Sequence, residues 1–181
     1  MKNKKLLIAI LCIFVFDLPG AANRIRQNFD FDWQFRLGEN GDFREVQLPH
    51  DWSVELDFDE KAGGASGYLP GGIGWYRKSF MIPASYKNQK VSLVFDGIYH
   101  KATIFLNGKE IAYHRYGYTS FETDLTPFLK YGESNDLKIK VDHSEISRWY
   151  TGSGIYRHVW LQVTNPVSYT HLRAHETGAY L

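Results

Sequence analysis

Ala102-Thr103-Ile104-Phe105-Leu106-Asn107-Gly108-Lys109-Glu110-Ile111-Ala112-Tyr113 is the stretch that decides the fold class. Ala102, Ile104 and Leu106 alternate with Thr103 and Phe105, the period of two that buries one face of a β-strand. Asn-Gly is the pair a two-residue type I′ turn demands, because both central residues take positive φ. A hairpin is therefore expected, with Ala102–Leu106 paired to Lys109–Tyr113. Working outward, Val91, Leu93 and Phe95 repeat the alternation, as do Leu137, Ile139 and Val141. Val159, Leu161 and Val163 do the same, with Trp160 on the opposite face and available to a neighbouring domain. Further strands are expected near Trp33–Leu37, Trp75–Ile82 and Ser120–Thr123. No long stretch spaces its apolar residues at 3.6, so helix content should be low. The pattern reads as all-β, and strands joined by hairpins and long crossings point to a two-sheet jelly-roll sandwich.

The two ends of the 181-residue chain read differently from its middle. Met1 to Ala22 has a basic start (Lys2, Lys4, Lys5), an apolar run from Leu6 to Phe16 and a small-residue Gly20-Ala21-Ala22 site, the pattern of a secretory signal. The apolar run is shorter than the roughly 20 residues a membrane span needs. Cys12 lies inside it, without the small preceding residue that lipid attachment requires, and its removal leaves no thiol for a disulfide or a thiolate metal site. At the other end, Val167 to Leu181 leaves the preceding pattern. Its back-translation resembles a transposase-type sequencing-library adapter, so the expectation is that this segment is not native and that the gene continues past Pro166. His171 and His175, at helical i, i+4 spacing, are accordingly given no role.

Between these ends, 23–166 is 144 residues, one ordinary domain. Setting aside Lys2, Lys4, Lys5 and Arg173 among 21 basic residues, and Asp17 and Glu176 among 20 acidic ones, leaves 17 against 18, a net charge of −1. Such balance disfavours a nucleic-acid partner, and no polybasic patch marks a membrane surface once the signal is removed. Aromatic residues make up 16% of the chain, an excess that suits either a carbohydrate-facing sandwich or an aromatic core. The stretch from Ser53 to Gly72 is too long for a simple sandwich connection, and with its glycines and four acidic residues it is either functional or mobile.

Chemistry concentrates in Arg148-Trp149-Tyr150-Thr151-Gly152-Ser153-Gly154-Ile155-Tyr156-Arg157, which holds three aromatic rings, two arginines and two glycines. Aromatic faces stack on the C–H face of a pyranose, guanidinium forks bind its hydroxyls, and glycine lets backbone approach closely. A strand entered through a glycine-rich bend would use the same residues. This run resembles the signature of glycoside hydrolase family 2, which includes β-galactosidases, β-glucuronidases and β-mannosidases. Leu48-Pro49-His50-Asp51-Trp52, Gly74-Trp75-Tyr76-Arg77-Lys78, Phe95-Asp96-Gly97 and Leu106-Asn107-Gly108 resemble further family segments in the family's order. The resemblance runs from about Gln27 to Pro166 and implies the family's N-terminal sugar-binding domain, a galactose-binding-like jelly roll, without its catalytic barrel.

The resemblance implies substrate contact at Arg148, Trp149 and Tyr150, interdomain packing being the alternative; some relatives carry aspartate where Arg148 stands. Asp51 is either a sugar acceptor or a loop carboxylate binding backbone N–H groups beside Trp52. Retaining glycosidases need two carboxyl groups roughly 5 to 5.5 Å apart. Asp57, Asp59 and Glu60 offer no convincing pair, so no catalytic residue is assigned here. Arg157, Arg77 and Asp96 are expected to form a cross-strand ion-pair network, and Trp75, Tyr76 and Trp33 to be core. His50, His100, His114, His143 and His158 lack metal-ligand spacing, and Ser153 lacks a nucleophile-elbow context. No metal or cofactor is expected.

The implied function is the sugar-binding domain of an exported, secreted or periplasmic, β-galactosidase-like hydrolase. Its partners are a β-galactoside-type glycan and the downstream immunoglobulin-like and barrel domains of the same chain. The alternatives are a stand-alone carbohydrate-binding module, a β-glucuronidase parent, and an adhesin-like domain.

Overall fold

The computed structural model describes residues 24–145 and 147–165. The secretory signal expected over 1–22 and the non-native segment expected over 167–181 lie outside the described residues.

Among the described residues, ten strands form two antiparallel sheets. The first sheet has the order β1 (Ile25–Asn28), β10 (Val159–Thr164), β5 (Lys90–Phe95), β8 (Phe121–Asp124). The second has the order β3 (Arg44–Val46), β2 (Trp33–Leu37), β4 (Gly72–Met81), β9 (Ser134–His143), β6 (Ala102–Leu106), β7 (Lys109–His114). Both sheets contribute to one core, so this is the expected all-β sandwich.

The alternation read from the sequence is what builds that core. Val91, Leu93 and Phe95 from one sheet are fully buried, as are Ala102, Ile104, Leu106, Leu137, Ile139 and Val141 from the other. At about 25 cal/mol per Å² of apolar surface, each of these side chains other than Ala102 stabilises the fold by roughly 1.5–3 kcal/mol before entropy is counted. The β6–β7 turn has φ of +52° at Asn107 and +82° at Gly108, the geometry Asn-Gly was expected to supply. Asn107 also has a role no turn pattern shows: its side chain donates to Phe128 O and Asn135 Oδ1, both at 2.9 Å, and accepts from Asp136 N–H at 3.1 Å.

Two expectations need correction. Trp33 and Tyr76 are core, but Trp75 is on the outer face of β4, half-buried, stacked on Phe105 with ring centroids 6.2 Å apart. Adjacent strand residues point to opposite faces, so Trp75 and Tyr76 could not both be core. The Arg77–Asp96–Arg157 network does not form. Arg77 donates to Gln34 Oε1 at 2.7 Å and lies 4.0 Å over the Phe43 ring. Asp96 accepts from Trp160 Nε1 at 2.8 Å and pairs loosely with Arg26 at 3.9 Å. Arg157 is exposed beside Tyr156. Each is met separately, Arg77 and Asp96 by the partners just named and Arg157 by solvent and the Tyr156 ring, at lower cost than a buried ion-pair network. Trp160 itself is covered by the Arg26 guanidinium, 4.2 Å from its ring.

A buried cation does exist one residue away. Lys78 points inward from β4 and donates to Phe31 O at 2.5 Å, with its ammonium 4.0 Å over the Phe29 ring. Burial depresses its pKa, opposed by Asp32 and Asp30.

The Ser53–Gly72 stretch is folded. Short 3-10 turns at Trp52–Glu55, Glu60–Ala62 and Gly64–Ser66 organise it, and the first two are capped by Asp51 and Asp59 accepting from Ser53 N–H and Lys61 N–H. Trp52, 1% exposed, anchors it to the core.

Candidate functional site

Two of the segments flagged in sequence, 48–52 and 148–157, meet at one end of the sandwich. Segment 48–52 and segment 152–155 run side by side, with His50 N–H donating to Ile155 O at 2.9 Å and Trp52 N–H to Ser153 O at 3.1 Å. On its other side the second segment is bridged to Tyr99, whose N–H and C=O both pair with Gly154 at 2.9 Å. Gly154 has φ of +112°, and a Cβ there would collide with the Tyr76 hydroxyl and approach His50 O to 3.0 Å. Only glycine fits both demands.

Asp51 ties the two segments together. Its Oδ1 accepts from Ser53 N–H at 3.1 Å and Ser153 N–H at 2.9 Å, and its Oδ2 accepts from the Tyr150 hydroxyl. Burial and this bond to Asp51 raise the Tyr150 pKa, so its hydroxyl stays protonated and donates. Of the two readings of Asp51, the loop-carboxylate geometry is therefore present. Asp51 borders a cleft of about 410 Å³ lined by Pro49, His50, Asp51, Tyr150, Thr151, Gly152 and Tyr156. Asp51 is the one carboxylate in that lining.

Beneath the cleft lies a hydrogen-bond chain whose direction is fixed. Ser53 Oγ donates to Pro70 O at 2.6 Å, so it must accept from Ser153 Oγ at 2.5 Å. Ser153 Oγ then accepts from His143 Nδ1–H at 2.5 Å. This order leaves His143 Nε2 as an acceptor, 3.4 Å from Thr151 Oγ1. Burial, reinforced by His100, lowers the His143 pKa to about 4, with Asp51 and Asp142 opposing. His143 is thus neutral at pH 7. Ser153 is a structural relay whose lone pair receives a proton bond, the reverse of an activated nucleophile.

A second chain starts at Tyr76, which is wholly buried with its pKa held well above 10 by that burial. Its hydroxyl meets His50 Nδ1 at 2.7 Å, and His50 Nε2 faces Glu55 Oε1 at 3.3 Å, with Arg44 paired to the other Glu55 oxygen. Burial lowers the His50 pKa, with Glu55 opposing. Both chains stiffen the base of the cleft.

Above this base, Arg148, Trp149 and Tyr150 are exposed, Trp149 at 59% and Tyr150 at 40%. The structure thus brings Tyr150 and Asp51 into contact and leaves the Trp149 ring and Arg148 exposed at the rim. Sequence reading missed Tyr118 and Tyr99. Trp149 Nε1 donates to Tyr118 Oη at 3.1 Å, and Tyr118 packs on Tyr99 with centroids 5.4 Å apart. The tyrosines flanking Gly117 were the available signal, since two rings bracketing a glycine mark a shaped turn. No group of three or more metal-ligating side chains occurs among the described residues.

The model of the glycosyl hydrolases family 2 sugar binding domain matches residues 67–166, more than half of the chain. The chain belongs to glycoside hydrolase family 2. Its matched segment is the family's sugar-binding domain and contains β4 through β10. It is 43% identical to the β-galactosidase BoGH2A of Bacteroides ovatus over 80% of this chain and 19% of that protein. It is 31% identical to a β-glucuronidase of Bacteroides fragilis over 99% of this chain and 26% of that protein. The crystal structure of a β-glycosidase from Bacteroides vulgatus superposes with a TM-score of 0.73 at 43% identity, covering 78% of this chain and 20% of that one. The chain thus spans between about a fifth and a quarter of the length of these family 2 proteins.

Proposed function

We propose that this family 2 sugar-binding domain forms one wall of the substrate pocket of a larger β-galactosidase-like hydrolase exported through residues 1–22. The supporting observation is the Asp51 clasp. By fixing Tyr150 and the Ser153 backbone it holds the 148–152 segment at the cleft rim, with Arg148 and Trp149 presented outward. Groups held this way lose little entropy when they meet a sugar, which is how a rim contributes to orientation.

The same geometry argues that the domain binds and does not cleave. A retaining mechanism needs an acid and a nucleophile about 5 to 5.5 Å apart, whereas the cleft lining has the single carboxylate Asp51, already accepting three hydrogen bonds. In this proposal the catalytic pair comes from the downstream barrel. Expression of the full-length gene with chromogenic β-galactoside and β-glucuronide substrates tests it. Turnover of the galactoside is expected, with none by the 181-residue chain alone. Release of sugar by that chain would overturn the division of labour.

A second reading, a β-glucuronidase parent, is favoured by the similar protein of that name from Bacteroides fragilis. Turnover of the glucuronide and not the galactoside would select it.

A further inference from the structure

The rim beside the cleft carries a built aromatic bracket in which Trp149 of the pocket wall is joined by Tyr118, a residue that reading does not use. Tyr118 and Trp149 come from distant loops and are joined by the 3.1 Å Nε1–Oη bond. The bracket is supported from below. A Cβ at Gly117 would collide with the Tyr99 ring, and Tyr156 Oη donates to Gly117 O at 2.8 Å. His114 and Thr119 close the turn at 3.1 Å. Tyr99, 9% exposed, is itself packed against His100 and His143. Above this support, Tyr116, Tyr118 and Trp149 stand 71%, 54% and 59% exposed. Tyr118 accepts from Trp149, so its own O–H remains to donate outward.

Charge around the bracket is one-sided. Arg115 precedes Tyr116, Arg148 precedes Trp149, and Arg157 lies 5.4 Å over the Tyr156 ring. None of the three has a carboxylate within ion-pair distance among the described residues. The nearby acids are engaged: Glu145 pairs with Lys101 at 2.6 Å, and Asp51 holds its loop. Rigid aromatic faces with unpaired guanidinium forks are what a ring bearing an anion requires.

We propose that the Tyr118–Trp149 bracket is a subsite for an anionic pyranose, one carrying a carboxylate or a sulfate ester, next to the sugar held in the cleft. This rests on the reading that this end of the sandwich faces substrate. Tyr118 acts as the positioning residue that fixes the Trp149 ring, and the arginines select charge.

Calorimetric titration of the chain with three oligosaccharides tests it: a neutral oligogalactoside, its sulfated counterpart and a hexuronate-containing one. The sulfate and uronate arms show which anion is taken. At low salt at least one anionic probe is expected to bind about tenfold more tightly than the neutral one, and to lose the advantage in concentrated salt. Arg115→Gln combined with Arg157→Gln, both exposed, should reduce that preference severalfold while Arg148 remains, with a smaller effect on the neutral probe. Tyr118→Phe should shift the Trp149 indole N–H resonance and weaken every probe, whereas a merely structural role would shift the resonance and leave the affinities unchanged. Equal affinity for neutral and anionic probes overturns charge selection while leaving the pocket-wall reading intact. Absence of binding by all three overturns both. Protection of Trp149 and Tyr118 from hydroxyl-radical labelling in the sugar-free full-length protein would show the downstream domains covering the bracket, and would overturn the subsite while leaving the cleft wall standing.

Discussion

Replacing Asp51 with alanine removes the shared acceptor of Ser53 N–H, Ser153 N–H and the Tyr150 hydroxyl. Ser53 and Ser153 are 1% and 0% exposed, so neither amide has ready access to water in compensation. Hydrogen bonds to a charged acceptor contribute about 1.5–3 kcal/mol each, and the two amides together set the loss near 4 kcal/mol. Tyr150 is 40% exposed, and rebonding to water limits its share to a few tenths. Asp51→Asn keeps an oxygen for the two amides and gives up the charge, which reduces the cost to about 1–2 kcal/mol. Urea unfolding of wild type and both variants measures this, at constant m-value, alongside exchange of the Ser153 amide. The expected order is alanine well below asparagine, with Ser153 exchange accelerated in the alanine variant. An alanine cost below 1 kcal/mol, or equal costs for the two variants, would refute the clasp.

Three further outcomes follow from the same interior. Because burial holds His143 near a pKa of about 4 against 6.5 in the unfolded chain, the unfolded state binds more protons between those values, and stability present above pH 6.5 falls as pH drops toward 4. The loss is on the order of 3 kcal/mol; His143→Gln should flatten the pH dependence of the urea midpoint, and an unchanged slope would assign it to other groups. Gly154→Ala forces a side chain against the Tyr76 hydroxyl at φ +112°, so a loss of about 3 kcal/mol or more in thermal unfolding is expected, and a neutral effect would contradict the packing. Lys78→Met fills the same space but leaves Phe31 O without its donor, for which about 1–2 kcal/mol is expected by chemical denaturation; a stabilised variant would show that the buried charge costs more than its bond returns.

How far the residues foretold this structure depends on whether a neighbour lies near in sequence. Strands β5, β6, β9 and β10 were legible because alternation is local, and the β6–β7 turn because Asn107-Gly108 specifies its own dihedrals. Trp75 is not legible from hydrophobicity alone, because its neighbour Tyr76 takes the inward site of the alternation. Charge alone suggests a network of Arg77, Asp96 and Arg157, yet each finds a partner that charge does not reveal, namely Gln34, Trp160 and Tyr156. At the site, Asp51 and Tyr150 were flagged separately, but the bond between them spans 99 residues. Ser53 reaches Ser153 across 100 residues, and Trp149 reaches Tyr118 across 31. No periodicity encodes such pairs; they exist only once both sheets have closed.

The strands that finish each sheet have a consequence for how this domain behaves in solution. β1, β8 and β3 are four, four and three residues long, and the longer β7 opens with Lys109 and Glu110 on exposed positions. An incoming strand finds only a few free backbone groups at three of these margins, and at the fourth it must desolvate charge to pair. Edge-to-edge stacking into fibrils is thereby discouraged, so a sandwich this rich in aromatic rings is expected to stay dispersed at concentrations where a long, flat, uncharged margin would template its own precipitation.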